Sequence, residues 1–186
     1  MNYKKIFSVR NFLILTILII TFFLFETFRE FVMISILVGI NCVLAFIRHL
    51  IFRYIKIGRV ALLRHLSNSI EFITFSSVIG SYLFGPIQGM VIGGLSILGT
   101  YIFEKRVSQF SLVTVPVYMI IGYFSYLLKP LGIVTLGIIM SITYNIITNL
   151  VFVIFYKAKF VKMLSFSLTN IIFNVCVFYA FGTMFV

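Results

Sequence analysis

A carboxylate set among apolar residues is the strongest chemical signal in this chain. Glu71 stands in the run Ser69-Ile70-Glu71-Phe72-Ile73, and the other three acids, Glu26, Glu30 and Glu104, lie at the margins of apolar segments. An ionised acid in hydrocarbon costs several kcal/mol unless it is partnered or wet, so an embedded carboxylate is a candidate for cation or proton binding. With Asn68 and Thr74 it occupies one helix face at a spacing of three. Its nearness in sequence to Arg64 and His65 allows the plainer alternative of an ion pair at the membrane surface.

Amides come next. Asn145 and Asn149 are four residues apart, as are Asn170 and Asn174, so each pair lines one face of its helix. Such ladders either bind a polar ligand within a bundle or tie helices together, at about 0.6 kcal/mol per interhelical hydrogen bond. Gly85, Gly89 and Gly93 also recur at intervals of four, and Gln88 sits among them. Small residues at this spacing make a stripe that another helix can approach closely, which is a packing role. Gln88 and the backbone near Gly85 are candidate linings of a solute cavity, since irregular backbone at membrane depth is tolerated where it faces protein or water.

The inventory for catalysis is thin. There are four glutamates, no aspartate and two histidines, His49 and His65, both in one basic stretch. Neither a Gly-x-Ser-x-Gly nor a His-Glu-x-x-His pattern occurs. Cys42 and Cys176 have no second cysteine or histidine at metal-ligand spacing and read as buried thiols. The expectation is a protein that is not an enzyme and carries no metal or other cofactor.

The elements that must position these residues are set by composition. Of 186 residues 62% are hydrophobic and only 10% charged, with a mean hydropathy of +1.19, whereas soluble domains carry about 25% charge. A spanning helix takes about 20 residues, and charges and breakers divide the chain into seven apolar segments: 11 to 28, 31 to 52, 67 to 84, 86 to 103, 109 to 128, 131 to 156 and 163 to 185. Gly85-Pro86 separates the third from the fourth, because proline suits a first helical position and disfavours helix in the residue before it. Lys129-Pro130 separates the fifth from the sixth. The reading is a single all-α membrane domain over residues 1–186, a polytopic bundle of seven spans, with six as the alternative.

The basic residues fix an orientation. When connections are assigned alternately to the two sides, 13 of the 15 lysines and arginines fall on one, and only Arg29 and Lys129 on the other. By the positive-inside rule the first side, which includes the N-terminus, is cytosolic. The net charge of +11 is thereby explained by topology, without nucleic acid. Residues 48–65 form a basic, amphipathic cytosolic loop in which Arg53, Lys56, Arg59 and Arg64 are placed to meet anionic lipid headgroups or an acidic partner.

From about Ser67 onward, Phe84-Gly85-Pro86, the following Gly89 and Gly93-Gly94, three further spans and a last helix bearing Thr169-Asn170 and Asn174 resemble the S components of energy-coupling-factor transporters. The resemblance implies a six-helix subunit that binds a vitamin or a metal and docks on a membrane coupling protein with cytosolic ATPases. A seventh span, and the absence of an alanine four residues from Ala45, set this chain apart from that pattern. Two functions follow as expectations. One is a membrane-embedded solute-binding or transport subunit acting with partner subunits, its pocket formed by Glu71, Gln88, Asn145, Asn149, Asn170 and Asn174. The other is a noncatalytic scaffold or sensor subunit of a larger membrane complex.

Overall fold

The computed structural model describes residues 3–54, 68–105, 107 and 109–185. Among them every regular element is helical: α1 (Tyr3–Tyr54), α2 (Ile73–Phe84), α3 (Pro86–Phe103), α4 (Ser111–Leu127), α5 (Ile133–Tyr156) and α6 (Phe160–Phe181), with short 3-10 turns at Lys129–Leu131 and Gly182–Phe185. Four stretches are long and apolar enough to cross a membrane, Phe28–Ile51, Pro86–Phe103, Ile133–Tyr156 and Phe160–Phe185; α2 and α4 are apolar but shorter.

The chain forms two compact units, 1–35 and 36–186. In the first, α1 presents Phe12, Leu15, Ile17 and Phe25 outward, and the Thr16 hydroxyl donates to the Phe12 carbonyl at 2.8 Å. The charged run Glu26-Thr27-Phe28-Arg29-Glu30, expected to separate the first two apolar segments, does not interrupt the helix. None of the five is Gly or Pro, so no residue there removes a backbone donor or favours a left-handed turn. Charge alone sets where a helix meets water; it does not end one.

The second unit is a helix bundle with many polar side chains buried beside its apolar core and an apolar surface. Asn41, Ser76, Ser77, Ser81, Ser96, Asn145, Asn170 and Asn174 are each at most 3% exposed, while Ile87, Ile102, Leu112, Ile154 and Ile172 are more than 60% exposed. Water would favour the reverse, and a hydrocarbon solvent favours this. Interior polar groups are spent on helix contacts: Asn41 of α1 donates to Ser76 Oγ of α2 at 2.9 Å and to Ser96 Oγ of α3 at 3.2 Å. The apolar core joins Val78, Ile79, Tyr118, Ile121, Leu136 and Phe178.

Two expected breaks are present. Gly85, at φ 124°, separates α2 from α3, and Pro86 opens α3. Gly132, at φ 75°, follows the Lys129–Leu131 turn and precedes α5. The glycine stripe is a packing surface: a Cβ on Gly93 would lie 2.6 Å from the Tyr118 carbonyl oxygen, and one on Gly89 would lie 2.7 Å from that of Gly122. The helix α4 therefore approaches α3 at backbone distance.

The third segment needs correction. Among the described residues Asn68 is helical, Ser69 is in a turn, Phe72 in a bend, and Glu71 precedes the helix that begins at Ile73; residue 67 lies outside the described residues. Glu71, Asn68 and Thr74 are thus not three positions on one helical face. Likewise, Arg48 to Tyr54 of the expected loop 48–65 belong to α1, and Lys56, Arg59, Arg64 and His65 lie outside the described residues.

A candidate solute cavity at the basic end of the bundle

At 12 residues, α2 measures about 18 Å, which falls short of a hydrocarbon core of about 30 Å. The irregular turn before it packs into the bundle. Two contacts fix its depth. Asn170, ten residues past the start of α6, donates through Nδ2 to the Ser69 carbonyl at 2.8 Å. Tyr118, seven residues past the start of α4, donates to Glu71 Oε2 at 3.4 Å. At 1.5 Å per residue these positions lie about 10–15 Å in from the ends of α4 and α6. Non-helical backbone at such depth requires either protein or a wet cavity around it.

Both surround this turn. Over it lies a cavity of about 510 Å³, enclosed by the ends of α1, α3, α4, α5 and α6 that meet at the basic face. That volume is within the usual range for small-molecule sites, about 300–1,000 Å³. The wall is largely aromatic, with Tyr101, Phe110, Tyr144, Phe152 and Phe166 contributing rings. Charges of both signs are set into it. Glu71 belongs to the turn, Asn68 is the helical residue before it, Arg48 and Glu104 sit at the far ends of α1 and α3, and Lys159 and Lys162 at the beginning of α6.

The walls are held by specific bonds. Arg48 Nε pairs with Glu104 Oε1 at 2.6 Å, both side chains being largely buried, and Arg48 Nη1 donates to the Ile70 carbonyl at 3.2 Å. One guanidinium thus joins α1, α3 and the turn that carries Glu71. Tyr101 and Thr114 hydroxyls bond at 2.6 Å between α3 and α4. The Tyr118 and Tyr144 rings stack with centroids 4.3 Å apart, joining α4 to α5 beside Glu71.

Of the six residues expected to form a pocket, only Glu71 lies on this wall. Asn145, Asn170 and Asn174 come together beneath it in a buried network. Asn145 Nδ2 donates to Asn170 Oδ1 at 2.8 Å, and Asn174 Nδ2 reaches the same oxygen at 3.2 Å. Asn149 Nδ2 donates to Ser167 Oγ at 2.7 Å. The Asn145–Asn170 and Asn149–Ser167 bonds tie α5 to α6, while Asn174 bonds within α6. Gln88 lies in the first turn of α3, nine residues before Ile97 of the cavity wall, and its Oε1 is beside Gly85.

Arg48, Glu104, Lys159, Lys162 and the aromatic residues were not singled out from the sequence. The charged residues lie at segment margins, where a charge reads as topology, and a ring within an apolar segment reads as packing. What brings them together is the common end of five helices, and spacing along one helix carries no signal of that. No protein-family model matches the chain, and neither curated proteins nor solved structures show significant similarity to it. Among the described residues, no group of three His, Cys, Asp or Glu side chains is placed to hold a metal ion.

Proposed function

We propose that this chain is a membrane-embedded solute-binding subunit, and that the cavity above the Ser69–Glu71 turn is its site. The observation that carries the reading is the cavity itself: aromatic walls, charges of both signs and a floor of broken helix at membrane depth. A half-buried carboxylate and an interrupted helix are costly in hydrocarbon, and a polar ligand site is the use that offsets both. Vitamin-like uptake, with partner subunits supplying energy, is the transport role that the S-component resemblance suggests.

In this reading the bundle is multi-pass in a cell membrane and its cavity opens to the cytosol. From Arg29 onward, 10 of 12 lysines and arginines fall at the sequence margins that this orientation assigns to the cytosol, which supports it. Seven crossings, with the N-terminus cytosolic, bring Lys4, Lys5 and Arg10 to the same side. That count requires the chain to reverse near Glu26–Glu30, whereas α1 running uninterrupted favours six. Arg53, Lys56, Arg59 and Arg64 then face anionic headgroups or an acidic partner.

The scaffold reading draws its support from Asn145, Asn170 and Asn174, whose amides bond to one another as they would in purely structural glue. Cysteine labelling separates the two. In a chain carrying Cys42→Ser and Cys176→Ser, Thr148→Cys on the cavity wall should react with a membrane-impermeant maleimide from the cytosolic face, and adding Ala158→Trp should block it. Failure of Thr148→Cys to react, or indifference to Ala158→Trp, would leave the scaffold reading in possession.

A further inference from the structure

The charges on the cavity wall are engaged within the protein. Arg48 pairs with Glu104 at 2.6 Å, Glu71 accepts from the Tyr118 hydroxyl at 3.4 Å, and Lys162 has its own partner. The hydroxyls are committed as well: Tyr101 bonds to Thr114 at 2.6 Å, and Thr100 and Thr148 donate to the Ser96 and Tyr144 carbonyls at 2.9 and 2.7 Å. Asn68 adds an amide, which is neutral. Lys159 is exposed, and an ion pair in water contributes little. A charged ligand would have to break a bond of the wall or be buried without a partner, and either is costly. The remaining surface is mainly aromatic. Tyr101 of α3, Phe110 just before α4, Tyr144 and Phe152 of α5 and Phe166 of α6 bring rings to it, beside the smaller aliphatic contribution of Ile97, Ala158 and Met163. Rings of this wall already meet rings: Phe110 and Phe152 pack edge to face with centroids 4.9 Å apart, and Tyr144 stacks on Tyr118.

We infer that the site takes an uncharged solute built on a flat aromatic ring system, held among Tyr101, Phe110, Tyr144, Phe152 and Phe166 while the charges of the wall keep their present partners. This inference rests on the solute-binding reading and adds to it the class of solute. Stacked and edge-to-face contacts give a flat ring an attraction beyond the area it buries. A saturated ring of the same size forgoes that attraction. An ion of either sign competes with bonds already made.

Four probes of similar size test it on the full-length protein in nanodiscs: 2-naphthalenemethanol, which is flat and neutral; decahydronaphthalene-2-methanol, which is neutral but saturated; and 2-naphthoate and 1-methylquinolinium, which are flat and charged. The readout is protection of Thr148→Cys, in the chain carrying Cys42→Ser and Cys176→Ser, from the membrane-impermeant maleimide, because a rate at one wall position is blind to probe dissolved in lipid. At equal free aqueous concentration scales, 2-naphthalenemethanol should protect at a concentration at least about tenfold lower than each of the other three. Phe110 is exposed and Phe166 half-buried, so both accept leucine; Phe110→Leu with Phe166→Leu should remove most of the advantage over the saturated probe and leave that probe's own protection unchanged. Circular dichroism and monodisperse gel filtration identify a double variant that fails to fold, in which case Phe110→Leu by itself should show a smaller loss of the same preference. Equal protection by the saturated probe, or a full preference retained in the folded leucine variant, overturns the aromatic claim. Equal protection by 2-naphthoate or 1-methylquinolinium overturns the uncharged one. Either result leaves solute binding standing, since a probe occupies the site. A Thr148→Cys that reacts, is blocked by Ala158→Trp and is protected by none of the four at millimolar concentration overturns the inference but not the solute-binding reading. One that does not react, or is indifferent to Ala158→Trp, overturns both.

Discussion

Asn170 is the hub of the bundle's interior polar network, and its replacement by leucine tests whether that network ties the cavity floor to the helices. Leucine preserves the branched shape and removes three bonds: from Asn145 at 2.8 Å, from Asn174 at 3.2 Å, and to the Ser69 carbonyl at 2.8 Å. Interhelical hydrogen bonds in membrane proteins are worth about 0.6 kcal/mol each on average, so the bonds to Asn145 of α5 and to the Ser69 turn, with the Asn174 bond inside α6 counted alike, amount to about 2 kcal/mol. Asn145 and Asn174 retain donations to the Ser141 and Asn170 carbonyls, at 2.8 and 2.9 Å. The expected loss is therefore about 2 kcal/mol. Asn149→Leu is the internal reference, because it removes a single bond, to Ser167 at 2.7 Å, and should cost about 1 kcal/mol or less. Reversible unfolding in mixed micelles, titrated with SDS, reads both. If Asn170→Leu cost no more than Asn149→Leu, the network would not be the tie described here.

Other consequences can be checked in the same way. Glu104→Gln or Arg48→Met alone should destabilise by about 3–5 kcal/mol by stranding a buried charge, while Arg48→Met with Glu104→Leu should recover most of it; equal losses in single and double variants would deny the pair its buried character. Gly93→Ala, whose Cβ would meet the Tyr118 carbonyl at 2.6 Å, should cost about 1–3 kcal/mol by forcing α3 from α4, and Gly39→Ala, with open space around it, should cost little by the same SDS titration. For topology, a reporter after Val186 should be active only outside the cell, and one at the N-terminus only in the cytosol if there are seven crossings; an external N-terminus would establish six.

The all-helical character, the breaks at Gly85-Pro86 and Lys129-Pro130 and the packing use of Gly89 and Gly93 were legible because each depends on a local property: hydropathy, a missing backbone donor or a missing side chain. The amides were legible as helix-facing pairs, though spacing could not decide between ligand and glue. That choice depends on which helix lies opposite, and it is Asn170 meeting Asn145 and Ser69 that decides it. Two elements misled for physical reasons. Glu26–Glu30 reads as a connection by charge, yet contains nothing that interrupts backbone hydrogen bonding. Residues 69–72 read as helix by hydropathy, yet form an irregular turn in which the Ile70 and Ser69 carbonyls accept from Arg48 and Asn170, from opposite ends of the sequence. Glu71 alone bridges the two levels: its isolation among apolar residues marked it, and the cavity lies over it.

The measurement that bears most directly on the solute-binding claim is native mass spectrometry of the protein purified from its own membranes, beside its Ala158→Trp variant. Ala158 lines the cavity without being buried, so an indole there should fill the site and leave the bundle folded. The account predicts a small molecule bound one to one in the unaltered protein and absent from the variant. A ligand retained at equal occupancy in Ala158→Trp would place the site elsewhere, and a protein that comes through free of ligand and is not stabilised by any small-molecule fraction of its host would contradict the claim.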